Sequence, residues 1–350
     1  MNRPIRILSI DGGGIRGIIP GQILVFLEKK LQEKTGNPDA RICDFFDFVA
    51  GTSTGGILAC LHLLPDPENP NRPRCSAQEA VNFYINRGHE VFRKSVWKQV
   101  KSAFGFMDEK FDKYHFEKLL DGFFQNASLA ELLKPCLITA YDIEDRKAHF
   151  FSQSDARKYQ YKNFLLRDVT RATSAAPTFF EVVKVKSLAR DPYTLKENYT
   201  LVDGGVFANN PTLCAYAEVR SQDLFNQDPL IDRPTAKDLV FLSLGTGKIH
   251  QSYCYYDAKD WGLVQWVRPL FNIIMSGVDE TVHYQLTQMY DAVGKPEQYL
   301  RIDTEIPAGS LMSQMDNASP ENIRMLQVLG TKTAQKNRSK LEYFMDQFLL

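Results

Sequence analysis

Short apolar runs at residues 6–10, 45–50, 199–202 and 239–244 each stop at a glycine or an Asp-Gly pair. They are too short for helices and read as buried strands. Between them the apolar spacing changes. Ile23, Leu24, Leu27 and Leu31 recur at helical steps, which predicts a helix over 21–34 that Gly36, Asn37 and Pro38 end. A second helix is predicted over 56–64, directly after the second strand. Strand, glycine turn and helix, repeated, is the rhythm of an α/β fold with a mostly parallel sheet.

The rest of the chain adds elements to that rhythm. The proline-rich stretch 65–73 is a loop, because so many prolines forbid a helix or an inner strand. A helix over 76–88 opens with Ser76 and, three residues on, Glu79, the spacing of a capping box. Runs 136–142 and 148–152 predict a strand pair joined by a turn at Glu144, Asp145, Arg146 and Lys147. Helices are predicted over 165–175, 211–221 and 263–290, the last broken near Pro269. A helical region over 321–349 is interrupted around Gly330. No internal repeat or low-complexity tail is present.

Three glycine-rich strings carry the chemistry. Gly51-Thr52-Ser53-Thr54-Gly55 places a serine between glycines where a strand turns into a helix. Such a turn leaves the hydroxyl exposed at its tip. Asp11-Gly12-Gly13-Gly14-Ile15-Arg16-Gly17 follows the first strand and offers unencumbered backbone N–H groups to an anion. The helix after it adds positive potential at its N-terminus. Asp203-Gly204-Gly205 puts a carboxylate in a tight turn after another strand. Nucleophile, oxyanion donors and base are the parts of an acyl-transfer site.

These strings, with Ala172-Thr173-Ser174-Ala175-Ala176-Pro177-Thr178-Phe179-Phe180 and Leu242-Ser243-Leu244-Gly245-Thr246-Gly247, stand in the order found in patatin-like phospholipases. The chain resembles that family over residues 7–247 and is taken for a bacterial-type member. The resemblance implies a three-layer α/β/α fold with a mostly parallel central sheet. It also implies a Ser–Asp dyad of Ser53 and Asp203, and an oxyanion hole at Gly12, Gly13, Gly14 and Arg16. Gly51, Gly55, Gly204 and Gly205 shape the two turns. Arg16 has two readings: it orients the loop or contacts a phosphate, or it is a salt-bridging scaffold residue. The motifs cross most of the chain, so a single domain over 1–350 is expected. A variable helical or lid region falls at about 65–130 and a helical C-terminal region at about 303–350.

Composition narrows the alternatives. Hydrophobic residues make up 44% of 350, enough for a real core. Lys and Arg number 42 against 42 Asp and Glu, without the basic excess of a general nucleic-acid binder, so no nucleic-acid partner is expected. Six cysteines, at 43, 60, 75, 136, 214 and 254, form no C-x-x-C and read as reduced thiols. The first residues do not read as a secretory signal, and no apolar run of roughly 18 residues suggests a transmembrane helix. A cytoplasmic protein in peripheral contact with membranes is expected. The glycine loop also fits G-x-G-x-x-G. Asp11 would repel a pyrophosphate there, and Asp39 lies in a Pro-containing loop rather than at a strand end. No metal-binding motif and no cofactor are implied.

A model aspartate, with a pKa near 3.9, is a poor base for serine. Asp203 therefore needs burial to raise its proton affinity. None of the six histidines sits in a recognisable loop after a late strand. Residues 91–107 combine Phe92, Val96, Val100, Phe104 and Met107 at helical steps with Arg93, Lys94, Lys98, Lys101 and Trp97. They read as a surface helix packed on the core, or as a membrane-facing segment or lid. Trp261, Trp266, Phe271, Ile273 and Ile274 read as core packing. The favoured function is a serine acyl hydrolase cleaving fatty-acyl esters of glycerophospholipids. The alternatives are an effector phospholipase switched on by a cyclic nucleotide and a non-catalytic lipid-binding scaffold.

Overall fold

A computed structural model describes residues 3–91, 113–221, 233–250 and 252–350. Residues 92–107 of the expected amphipathic segment lie outside the described residues. The main sheet contains β1 (Ile5–Ile10), β2 (Phe48–Thr52), β3 (Cys136–Asp142), β4 (Lys147–Ser152), β5 (Val183–Lys186), β6 (Asn198–Asp203), β7 (Leu239–Leu244) and β9 (Tyr299–Ile302). β8 (Lys248–Ile249) and β10 (Glu305–Ile306) pair separately. β3, β2, β1, β7 and β9 run parallel, while β4, β5 and β6 are antiparallel to their neighbours.

The central strands are continuous apolar runs because both faces are covered. Residues alternate between two cores, as a pleated strand requires. Leu8, Val49, Val240 and Leu242 join a large core under helices Ile18–Thr35, Thr54–Leu63, Ala77–Val91 and Pro320–Lys336. Ile7, Phe48, Ala50 and Phe241 face the other way, against Tyr216 of helix Thr212–Ser221 and Leu286 of helix Leu263–Ala292. Helix, sheet and helix form the three layers expected. The capping box forms as read: the Ser76 N–H donates to Glu79 Oε2 at 2.8 Å.

Several elements differ from the sequence reading. β5 and β9 were not anticipated; each has only four residues, and β9 gains its place by pairing with β7. Helix Leu263–Ala292 is unbroken and contains Pro269. Proline removes one hydrogen bond there, to the carbonyl of Gln265, and Gln265 is exposed to solvent that can replace it. Gly330 does not interrupt helix Pro320–Lys336 either. A Cβ at Gly330 would lie 2.8 Å from Gln22 Cβ and 2.9 Å from the Ile19 carbonyl oxygen, so glycine lets two helices touch. The start of helix Leu263–Ala292 is not core. Leu263 is 89% and Val264 76% exposed, and Trp266, Ile273 and Ile274 are exposed as well. Trp261 is half-buried and packs edge-on to Trp266, with ring centroids 5.1 Å apart; the Phe271 side chain is not described.

Candidate active site

Ser53 begins where β2 ends, with φ 54° and ψ −122°. A non-glycine residue is strained there, and surrounding contacts must hold it. The Ser53 N–H donates to Thr173 Oγ1 at 2.8 Å, and the Thr173 hydroxyl donates to the Thr139 carbonyl at 2.7 Å. Thr52 donates to the Ala208 carbonyl at 2.7 Å. The flanking glycines are forced by close approach. A Cβ on Gly51 would meet the Gly55 carbonyl oxygen at 2.4 Å, and one on Gly55 would meet the Ile10 carbonyl oxygen at 2.2 Å. The turn is thus wedged between its own helix and β1.

Asp203 reaches the same place from the opposite direction. β4 occupies one edge of β3 along its length, with Leu137 opposite Ser152 through Asp142 opposite Lys147. β2 and β6 therefore share the other edge end to end. β2 runs parallel to β3 and stops with Thr52 opposite Thr139. β6 runs antiparallel and stops with Asp203 opposite Ala140. The two C-terminal ends converge on adjacent residues of β3. Gly204 fits because a Cβ there would lie 2.1 Å from Thr139 Oγ1. The Gly205 N–H donates to Asp203 Oδ1 at 2.7 Å. Burial pushes the Asp203 carboxyl up to about 7, against the pull of the Ser53 side chain and the Gly205 N–H. Loss of hydration disfavours the charged form more than two donors favour it.

The glycine loop closes the third side. The Gly12 N–H is spent on the Asn209 carbonyl at 3.1 Å, so it is not free for a ligand. Gly13 and Gly14 line the cavity that Ser53 and Asp203 line, and Gly12 does not. Among the described residues no acceptor is found for the Gly13 or Gly14 N–H. Gly14 has φ +61°, and a Cβ would lie 2.2 Å from the Met315 carbonyl oxygen. Arg16 is buried and turned away from the cavity. Its Nε donates to the Gly13 carbonyl at 3.3 Å and its Nη1 to the Gly247 carbonyl at 3.4 Å. Of its two readings it fits the loop-orienting one, through hydrogen bonds to carbonyls, and it does not line the cavity as an oxyanion donor would.

The cavity is lined mainly by apolar side chains, among them Ile57, Tyr84, Phe116, Phe179, Phe180 and Met275. That character suits a hydrophobic ligand with a few polar groups at one end. No histidine lines it among the described residues. Burial pushes His62 and His149 down to about 4, so both are neutral at pH 7.

Sequence reading missed what stands behind the loop. Arg301, near the C-terminal end of β9, donates to Asp11 at 2.9 and 2.6 Å, to Asp279 at 3.0 Å and to Asp303 at 3.1 Å. These four buried or nearly buried side chains anchor the start of the glycine loop. Their partners lie up to 290 residues apart, and no local pattern marks them. Thr139 was likewise invisible as an anchor of the serine turn. Among the described residues no group of His, Cys, Asp or Glu is arranged to hold a metal ion, and no helix is long and apolar enough to cross a membrane.

Comparison with known proteins agrees with this geometry. Residues 8–216 match the family model of the patatin-like phospholipases. Patatin-like protein 2 of Oryza sativa subsp. indica is 36% identical over 352 residues, covering 97% of this chain and 85% of that protein. Patatin-like protein 3 of Arabidopsis thaliana is 34% identical, covering 96% and 82%. A probable inactive patatin-3-Kuras 1 of Solanum tuberosum is 31% identical, covering 96% and 88%. These relatives are plant proteins, and they lend no support to the bacterial-type assignment. The matched model, the plant relatives and the layered mixed sheet agree, and the chain belongs to the patatin-like phospholipase family.

Proposed function

We propose that the chain is a serine lipid acyl hydrolase that cleaves fatty-acyl esters of glycerophospholipids with a Ser53–Asp203 dyad. The observation that carries this reading is the meeting at one apolar cavity of Ser53, Asp203 and two glycine N–H groups that have no acceptor among the described residues. The fatty-acyl chain lies along the apolar walls with its ester carbonyl at Ser53. Ser53 Oγ attacks that carbonyl carbon as the Asp203 carboxylate takes the hydroxyl proton. The carbonyl oxygen becomes an oxyanion held by the Gly13 and Gly14 N–H groups. Collapse breaks the ester C–O bond, and the departing lysolipid alkoxide takes the proton from Asp203. Water then attacks the acyl-Ser53 ester, giving its proton to Asp203. Collapse of that second intermediate returns the proton to Ser53 and releases the fatty acid. A carboxyl pushed up to about 7 is a far better base than an ordinary aspartate, and at neutral pH it remains substantially ionised.

A fluorophosphonate probe tests the reading. It labels Ser53 in the wild type and leaves Ser53→Ala unlabelled, and labelled protein loses phospholipid hydrolysis. Absence of labelling and of turnover would instead favour a non-catalytic lipid binder.

Peripheral membrane contact is part of the proposal. The exposed face at Leu263, Val264, Trp266 and Ile274 shares a helix with Met275, which lines the cavity. Apolar and aromatic side chains together suit the boundary between headgroups and acyl chains. Leu263→Ser with Val264→Ser should lower hydrolysis of vesicle phospholipid about tenfold, a burial loss of roughly 1.4 kcal/mol. Hydrolysis of a soluble short-chain ester should be retained. Equal loss on both substrates would remove the membrane role from this face.

A further inference from the structure

The Gly13 and Gly14 N–H groups can serve an oxyanion only if their peptides are held in one orientation. In a trans peptide the carbonyl and the following N–H point in opposite directions. Whatever grips the carbonyl therefore aims the N–H. For the Gly13–Gly14 peptide the grip comes from Arg16, whose backbone N–H and Nε approach the Gly13 carbonyl at 3.2 and 3.3 Å. For the Gly12–Gly13 peptide it comes from Thr246, whose hydroxyl donates to the Gly12 carbonyl at 2.6 Å.

Thr246 is built for that contact. It is buried, with 4% of its surface exposed, and it does not line the cavity. It fills the space a side chain on Gly13 would need, since a Cβ there would lie 2.3 Å from Thr246 Oγ1. The turn that carries it is tied on both sides. The Gly245 N–H donates to the Ile302 carbonyl at 2.9 Å, and the Gly247 N–H donates to Asp303 Oδ1 at 2.9 Å. Asp303 in turn accepts from Arg301, which also holds Asp11. The glycine loop is thus gripped at Asp11, at the Gly12 carbonyl and at the Gly13 carbonyl, and among the described residues the Gly13 and Gly14 N–H groups are left without an acceptor.

We infer that Thr246 is a positioning residue of the oxyanion site: by holding the Gly12 carbonyl it aims the Gly13 N–H into the cavity. This rests on the reading of Ser53 as the acylated nucleophile. The prediction is a specific split. Thr246→Val keeps the shape and removes the donor, and should lower kcat on a soluble short-chain ester about 10- to 100-fold with little change in KM. That is less than the roughly 10²- to 10³-fold typical of deleting a donor outright. Thr246→Ser keeps the hydroxyl and should recover kcat to within about threefold of wild type. Glycine-selective ¹⁵N labelling supplies a readout that needs no turnover. The Gly13 amide resonance should move in Thr246→Val and return in Thr246→Ser.

Three results would overturn the inference. Thr246→Val could retain wild-type kcat, Thr246→Ser could fall as far as Thr246→Val, or the Gly13 resonance could stay in place in Thr246→Val. Failure of the functional reading looks different: the wild type would neither hydrolyse the ester nor take the fluorophosphonate label. The Gly13 resonance then decides alone whether Thr246 orients this peptide.

Discussion

Ser53 leaves β2 with φ at 54°, whereas Asp203 is still within the extended backbone of β6, opposite Ala140. Both side chains meet at one cavity, but the fold stores cost in them differently. At Ser53 the cost is conformational, about 1–3 kcal/mol for a non-glycine residue in a sparsely populated region. The Ser53 N–H donating to Thr173, the Ile57 N–H donating to the Ser53 carbonyl and the packing of Gly51 and Gly55 offset it. At Asp203 the backbone is relaxed and the cost is electrostatic. Moving a carboxyl from 3.8 to about 7 corresponds to roughly 4 kcal/mol in the ionised state. The strain at Ser53 exists at every pH. The cost at Asp203 disappears once the carboxyl is protonated.

The largest effect that tests this pairing is on turnover. Ser53→Ala and Asp203→Asn should each lower kcat by on the order of 10⁴-fold while the protein remains folded. The double variant should be scarcely slower than either single one, because the proposed mechanism makes the two groups one unit. Full additivity, read in ester hydrolysis rates, would separate the two residues into independent roles.

A pH series sharpens the electrostatic half. The proposed base must be ionised to act, so kcat/KM should fall as pH drops through about 7. Stability runs the other way. The folded state holds the Asp203 proton more tightly than the unfolded chain does, so this contribution is fully present below about pH 4. It is lost as pH rises through about 7. Asp203→Asn lacks that loss and should exceed wild type at pH 8 by roughly 1–4 kcal/mol, with a smaller gain at pH 4. Urea midpoints at the two pH values measure it. Parallel stability profiles for wild type and variant would remove the buried, raised carboxyl.

The smallest effect isolates the conformational half. Ser53→Gly should be more stable than Ser53→Ala by about 1 kcal/mol, because glycine enters positive φ without a Cβ clash. The difference should be the same at pH 5 and pH 8. If thermal unfolding ranks alanine above glycine, the turn is not strained at Ser53.

Much of the site was legible because its parts are local. A glycine can be read as a turn wherever it ends an apolar run, and both glycine-flanked turns formed where residues 51–55 and 203–205 indicated. β5 was missed although Val183 and Val185 alternate with Lys184 and Lys186. Four residues of alternation occur often without a strand. Its pairing with β6 made it one. The assignment of Gly12 as a donor went astray for a related reason: three successive glycines look alike in sequence, and only the Asn209 carbonyl distinguishes the first.

By itself, the sequence determined the punctuation of strand, turn and helix, the chemical identity of the serine and the aspartate, and the family. These follow from side-chain period and from the steric needs of single residues, which neighbours in the chain largely decide. The tertiary structure decided the rest. The shared edge of β3 set the meeting of Ser53 with Asp203, and burial set the carboxyl's proton affinity. Packing against helix Ile18–Thr35 made Gly330 a contact rather than a break. The grip on the glycine loop came from Thr246 and Arg301, which lie 234 and 290 residues from the loop positions they hold. Desolvation and long-range hydrogen bonding depend on what surrounds a group in space, and adjacency along the chain does not encode that.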